Sequence, residues 1–227
     1  MNIGILLSGC GVYDGAEIQE AVMAMLAVKE AGHNYLCISV DKDQYHVINH
    51  ITGEEMNETR NMMVEAARIA RGDIREIGSV APNEIDALII PGGFGSAKNF
   101  SEWAFKGPEG AILPEVKLLI VNMVNIGKPV CALCVSPVLV AKAFEGTDIH
   151  PELTLGTDQD PSPYDIPGFN AGIESVGAVA EMRSIRQIAV DKRHKIVSAP
   201  CYMMDTNIME IRNNVKMAVD ETIALCS

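Results

Sequence analysis

The sequence predicts an α/β fold: a doubly wound, mostly parallel sheet with a late antiparallel addition. Three observations carry this. Residues 3–7, 87–90 and 130–133 are continuous apolar runs, as strands covered on both faces require. The segments between them place apolar residues at helical spacing. Glycine-rich loops follow the first two runs directly, at residues 9–15 and 91–95, and the third run passes into a helix with no loop at all.

In chain order, the first strand (3–7) and its loop lead into a helix over 16–31, with Ile18, Ala21, Val22, Met25 and Leu26 marking one face and Gly32 closing it. A second strand spans 35–40 and ends at Asp41, completing a βαβ unit. Residues 42–57 are less regular, with a short hairpin around 47–52, and a second helix is expected over 58–70. After the strand at 87–90, residues 96–112 read as a long irregular loop. A helix over Pro114–Asn125 turns Val116, Leu119, Ile120 and Met123 inward. The strand at 130–133 runs straight into a helix over 135–144. Beyond it come a short strand (153–155), an irregular proline-rich piece (161–167), a hairpin pairing 187–191 with 195–199, and a last helix over 207–224.

The 227 residues suit a single domain spanning the chain, with a core that is aliphatic rather than aromatic: 48% hydrophobic but only 5% Phe, Trp and Tyr. A formal charge of −12 argues against nucleic acid or an anionic membrane as partner. No apolar run approaches a membrane span, and the N-terminus reads as a strand rather than a signal peptide. Four of the six cysteines sit in apolar or strand-like runs, so a reducing, cytoplasmic setting is expected in place of a disulfide framework. Cys131-x-x-Cys134 has thioredoxin-type spacing, but Cys131 lies inside the strand instead of at the helix start. No second ligand pair makes a zinc site, and no metal is expected.

Chemistry is expected where the strands end. The sharp turn at Cys134 has the geometry of a nucleophile elbow, which demands small residues two positions either side; these are Ala132 and Ser136. A helix N-terminus favours thiolate there. The alternative is a small buried apolar cysteine. Gly9, Gly11 and Gly15, with Asp41 as a ribose ligand, suggest a dinucleotide site, but Asp14, Glu17 and Glu20 would repel its pyrophosphate. Glu17 and Glu20 are better read as candidates to hydrogen-bond the thiol and move protons, or else as ordinary helix-start charge. The N–H groups of Gly93 and Val135 can form an oxyanion hole beside Cys134, although a plain turn also needs glycine. Arg60, Arg68, Lys98 and Asn99, with Gly92, are candidates to bind a substrate carboxylate or carbonyl, or are surface groups beside the loop. Of the five histidines, only His150 is placed to partner a cysteine, and weakly.

Pro91-Gly92-Gly93 after a strand, Cys134 in Leu133-Cys134-Val135-Ser136-Pro137 and an acidic first helix together resemble the ThiJ/PfpI superfamily of class I glutamine amidotransferase-like proteins. Residues 8–18, Glu58-Thr59-Arg60-Asn61, Glu65-Ala66-Ala67-Arg68, residues 91–99, Leu155-Gly156-Thr157-Asp158 and residues 199–203 resemble its ElbB branch, described as an isoprenoid-biosynthesis glyoxalase. The resemblance implies a flavodoxin-like three-layer sandwich, a homodimer and Cys134 as nucleophile. It also implies Gly93 and Val135 as donors and a first-helix glutamate on the thiol, Glu20 before Glu17. Superfamily proteases and amidotransferases carry a histidine after the elbow helix; here residues 153–158 hold none. The expected function is therefore cofactor-independent conversion of 2-oxoaldehydes to 2-hydroxy acids. The alternatives are a redox-sensing or partner-binding protein with an oxidisable Cys134 and, more weakly, a glutaminase-type hydrolase.

Overall fold

The computed structural model describes residues 1–226. The first half of the chain alternates β1 (Asn2–Leu6), α1 (Ile18–Glu30), β2 (Asn34–Ser39), α2 (Met62–Ala70), β3 (Ile74–Glu76) and β4 (Ala87–Ile90). Two short helices, α3 (Phe94–Lys98) and α4 (Trp103–Lys106), precede α5 (Pro114–Asn125), β5 (Val130–Leu133) and α6 (Pro137–Phe144). The remainder is β6 (Glu152–Gly156), α7 (Ile166–Ser175), β7 (Val179–Met182), β8 (Ala189–Asp191), β9 (Ile196–Ala199) and α8 (Ile208–Ala224).

Seven strands form one sheet in the order β3-β2-β1-β4-β5-β9-β8, parallel except for the β8–β9 hairpin. Helices flank it, α1 beside α8 and α5 beside α6. This is the flavodoxin-like sandwich the resemblance implies. The order reverses between β1 and β4: β2 adds on one side of β1, β4 and β5 on the other. The crevice at such a reversal, outside the carboxyl ends of the strands, is where α/β sheets bind ligands. It collects the loops after β1, β4 and β5. Every residue of β4 and β5 is fully buried, which explains why these two strands read as pure apolar runs.

Elsewhere the structure corrects the sequence expectations. The helix expected over 58–70 begins at Met62, because Asn61 is extended (φ −78°, ψ 127°) and its side chain accepts the Val64 N–H as a cap. The face of α1 is rotated. Ala21 and Met25 are buried, but their companions are Glu20, Ala24, Ala27 and Val28, while Ile18, Val22 and Leu26 stand 44–48% exposed. Residues 96–112 hold the end of α3 and all of α4 instead of an irregular loop. β3 is an edge strand of three residues, two of them charged, and so shows no apolar run. The strand at 152–156 pairs only with β7, in a separate two-stranded sheet. The proline-rich piece runs into α7, whose Pro167 lies in the first turn where no N–H is needed, and Asp165 caps it by accepting the Gly168 N–H.

Candidate active site

Cys134 follows the last residue of β5. Its N–H still donates to the Ala199 carbonyl across the sheet (2.9 Å), yet its φ is +57°, in the left-handed region. Ser136 N–H then donates back to the Leu133 carbonyl (2.9 Å), and α6 starts at Pro137. A side chain at positive φ is strained by about 1–2 kcal/mol, and the surroundings hold it. Ser136, fully buried, donates to the Pro91 carbonyl (2.7 Å) and shares a hydrogen bond with Ser96 (2.8 Å), tying the elbow to the loop after β4. That loop lies against the thiol. A Cβ on Gly92 would sit 2.3 Å from the Cβ of Cys134 and 2.7 Å from Oε2 of Glu20, so only glycine fits. Gly93, at φ +95°, turns the chain into α3. The N–H groups of Gly93 and Val135 lie beside the Cys134 sulfur and favour its ionised form.

Glu20, on the first turn of α1, is fully buried and lies beside the same sulfur. Its Oε2 accepts the Gly92 N–H (2.8 Å) and its Oε1 the Tyr202 N–H (3.4 Å). Burial, reinforced by the nearby Glu17 charge, pushes the Glu20 carboxyl up to about 8. Burial also pushes the Cys134 thiol well up, and the facing carboxylate adds to that, against the two N–H donors. The expectation that the helix start would favour thiolate is therefore overturned in the free protein: burial and a like charge outweigh it. The chemical result is a protonated thiol beside a carboxyl of raised basicity, whose ionised form, gained as the pH passes about 8, can take the thiol proton.

Glu17 has the other fate left open by the sequence. It caps α1, its Oε2 accepting the Glu20 N–H at 2.7 Å, and does not line the pocket of the thiol. That pocket is small and largely apolar, and opens beside Cys134 between Val12, Phe94, Phe169, Met203, Tyr164 and Tyr202. Tyr164 meets Phe94 edge-on (6.0 Å between ring centres), and burial first, then the Cys134 and Glu20 charges, raises its phenol to about 12. It is thus a neutral hydrogen-bond donor. Sequence reasoning missed both tyrosines. Tyr202 lies in a stretch that carried the resemblance, but Tyr164 sits in the proline-rich piece, where nothing marked it.

Other expected ligands are not brought to the thiol. Arg60 is half-exposed and pairs with Glu58 (2.7 Å), and Arg68 pairs with Glu65 (2.9 Å). Lys98 donates to the Tyr13 carbonyl (2.9 Å). Asn99 is consumed in bracing loops: Nδ2 donates to the Ser8 and Asp14 carbonyls and Oδ1 accepts the Tyr45 N–H. Lys98 and Asn99 line a separate pocket with Lys42 and Tyr45. The Gly92 N–H holds Glu20 instead of substrate. Asp41 accepts from Asn61, and His150 meets the Gly177 carbonyl at an exposed position. Among the described residues no histidine lines the Cys134 pocket.

A cysteine at a strained strand-to-helix turn, met by a first-helix glutamate on a sheet of this order, defines a class I glutamine amidotransferase-like protein. Residues 10–145 match the DJ-1/PfpI family, and the chain belongs to that family. It is 34% identical to human glutamine amidotransferase-like class 1 domain-containing protein 3, mitochondrial, over 99% of this chain and 83% of that one. It is also 34% identical to the rat ES1 protein homolog, mitochondrial, with 99% and 84% covered. An isoprenoid biosynthesis protein with an amidotransferase-like domain from Ehrlichia chaffeensis superposes with a TM-score of 0.90 at 32% identity, over 100% of both chains. Glyoxalase III of Candida albicans shares the fold, with a TM-score of 0.60 at 14% identity over 99% and 97% of the chains.

Proposed function

We propose that the protein is a cofactor-independent, glyoxalase-like enzyme that converts small 2-oxoaldehydes to 2-hydroxy acids. The observation that carries this reading is the Glu20–Cys134 pair: a buried carboxyl of raised basicity on a thiol flanked by two N–H donors, in a small apolar pocket. As the sulfur attacks the aldehyde carbon, Glu20 takes the thiol proton. The developing oxyanion meets the N–H groups of Gly93 and Val135, then receives that proton to give a hemithioacetal. Glu20, again a carboxylate, removes the C1 hydrogen as a proton and returns it to C2, while the C1 hydroxyl proton passes to the C2 oxygen, leaving the thioester of the 2-hydroxy acid. Water hydrolyses the thioester, so that methylglyoxal plus water gives lactate and the free thiol. Tyr164, which lines the pocket, is the candidate donor to the ketone oxygen.

The test is lactate formation from methylglyoxal, followed by NMR. Wild type is expected to turn over and Cys134→Ala to fall by at least about 10³-fold; equal rates would refute the reading. One observation favours a rival, oxidation of Cys134 as a sensor: a carboxyl that keeps its proton to about 8 can donate to an oxidised sulfur. Peroxide titration with mass spectrometry separates the two, because a sensor forms the oxidised thiol at low peroxide without aldehyde turnover. Two proposals accompany this reading. The six cysteines are unpaired, which suits a reducing, cytoplasmic setting. The exposed row Ile18, Val22 and Leu26 on α1 supports a homodimer, and a monomer by light scattering would exclude it.

A further inference from the structure

Outside the thiol pocket lies a wider and more open cleft, and its lining differs in kind. It shares Val12, Tyr164 and Tyr202 with the pocket of Cys134, so the two spaces adjoin. Tyr13, Tyr164 and Tyr202 line it together with Glu17 and Asp205. Among the described residues no lysine, arginine or histidine lines it. Lys98 comes near, but its ammonium is bound to the Tyr13 carbonyl, and it lines the separate pocket beside Lys42. Glu17 is buried and occupied in part by capping α1, whereas Asp205 is exposed to the opening.

We propose that this vestibule receives a cationic group, such as a protonated amine or quaternary ammonium, on the molecule whose carbonyl reaches Cys134. Aromatic faces attract a cation through the ring quadrupole, and the two carboxylates add a field of the same sense. The chain's formal charge of −12 extends that field over the surface. A phosphate or diphosphate in the same place would meet two like charges and no cation. Taken with the proposed function, on which this step rests, the substrate class becomes 2-oxoaldehydes bearing a positive substituent, and phosphorylated intermediates are disfavoured. The charge preference itself concerns only the approach to the thiol and can be read without turnover.

Two methanethiosulfonates of similar size provide that reading, one ending in trimethylammonium and the other in sulfonate. With either, the Cys134 thiolate displaces methanesulfinate and forms a mixed disulfide, and the rate is taken from the Cys134 peptide by mass spectrometry. Relative to the reagents' ratio on a small free thiol at the same pH, Cys134 should favour the cationic one by about tenfold at low ionic strength. Added salt should shrink the preference. Asp205→Lys, a change at an exposed side chain, should bring the ratio to the free-thiol value or below. A wild-type ratio equal to or below that of the free thiol overturns the proposal. So does failure of both reagents to reach Cys134, since the vestibule would then not lead to it. In the turnover arm, para-trimethylammonium phenylglyoxal should exceed para-carboxyphenylglyoxal in kcat/KM by a similar factor. No turnover of any aldehyde, with the labelling preference intact, sinks the glyoxalase reading alone.

Discussion

Two neighbouring strand ends carry the same unusual feature and differ in everything that follows from it. β5 ends at Cys134 with φ +57°, and β9, its partner in the sheet, leads through Pro200 into Cys201 with φ +45°. Both are left-handed non-glycine residues, both are buried, and both thiols are pushed well up by burial. Around Cys134, Gly93 and Val135 present N–H groups to the sulfur, Glu20 faces it and a cavity opens beside it. Cys201 is fully sealed: its N–H is fixed by Asn214 Oδ1 (3.0 Å), and its side chain lines no part of the pocket. Strain and burial are therefore common to both thiols. What sets Cys134 apart, and supports the proposal that it is the nucleophile, is the convergence of a proton acceptor, charge-stabilising donors and space for a reactant.

The sharpest way to break this contrast is to remove each thiol in turn. Against the loss of at least about 10³-fold expected for Cys134→Ala, Cys201→Ala should keep methylglyoxal turnover within about threefold. Its effect belongs to packing, about 1 kcal/mol of stability lost on denaturant unfolding. Equal losses of turnover in the two variants would mean that the elbow environment confers nothing on Cys134.

Glu20→Gln isolates the carboxyl that distinguishes the two sites. Turnover should fall by about 10²–10⁴. In the wild type the rate should rise with pH through a limb near 8, as the Glu20 proton leaves, and the variant should lack that limb. Stability has the opposite slope. The folded-state pKa is raised, so the folded protein binds the extra proton. Its contribution is fully present below about 4.5, declines above that and is gone above about 8. Glu20→Gln should flatten this decline, which is on the order of a few kcal/mol. A wild-type stability that rises over this window would contradict the raised carboxyl.

The contrast also shows how far the sequence could be read. The elbow was legible because its cause is local: an apolar run, a helix with no intervening loop, and small residues at 132 and 136. Gly92 and Gly93 were legible for the same reason, as a strand end with no side chains. The choice between Glu17 and Glu20 was open in the residues themselves, which share one helix start, and only the resemblance ranked Glu20 first; the structure places Glu20 beside the sulfur and Glu17 at the cap of α1. The buried face of α1 is alanine-rich and holds Glu20, so the more conspicuous row of Ile18, Val22 and Leu26 misled. Tyr164 and Tyr202 reach the thiol from segments far along the chain, and no local spacing records that approach.

A closer test of fit lies at Gly92. Its added Cβ in Gly92→Ala would overlap the Cys134 Cβ at 2.3 Å and press on Glu20, both of them fixed. Overpacking of this kind is expected to destabilise by about 1–3 kcal/mol. Turnover should fall about tenfold or more, because the carboxyl and the sulfur cannot both keep their places. Full activity would mean that the pair tolerates displacement and that its geometry is not what the chemistry uses.

The smallest effect is expected where the sequence pointed to a substrate ligand and the structure does not. Arg60 is held by Glu58 at 2.7 Å and reaches Glu65 at 3.8 Å, on a half-exposed surface away from the Cys134 pocket. Arg60→Ala removes a solvent-screened ion pair, so the stability change should stay within about 0.5 kcal/mol. KM and kcat for methylglyoxal should both remain within about twofold of wild type. If the guanidinium did bind the substrate's carbonyl, KM would rise by about tenfold or more, the loss of one charge-assisted hydrogen bond. A rise in KM alone would return Arg60 to the site. It would also require residues 58–61 to close over the pocket during turnover, since in the structure they lie outside it.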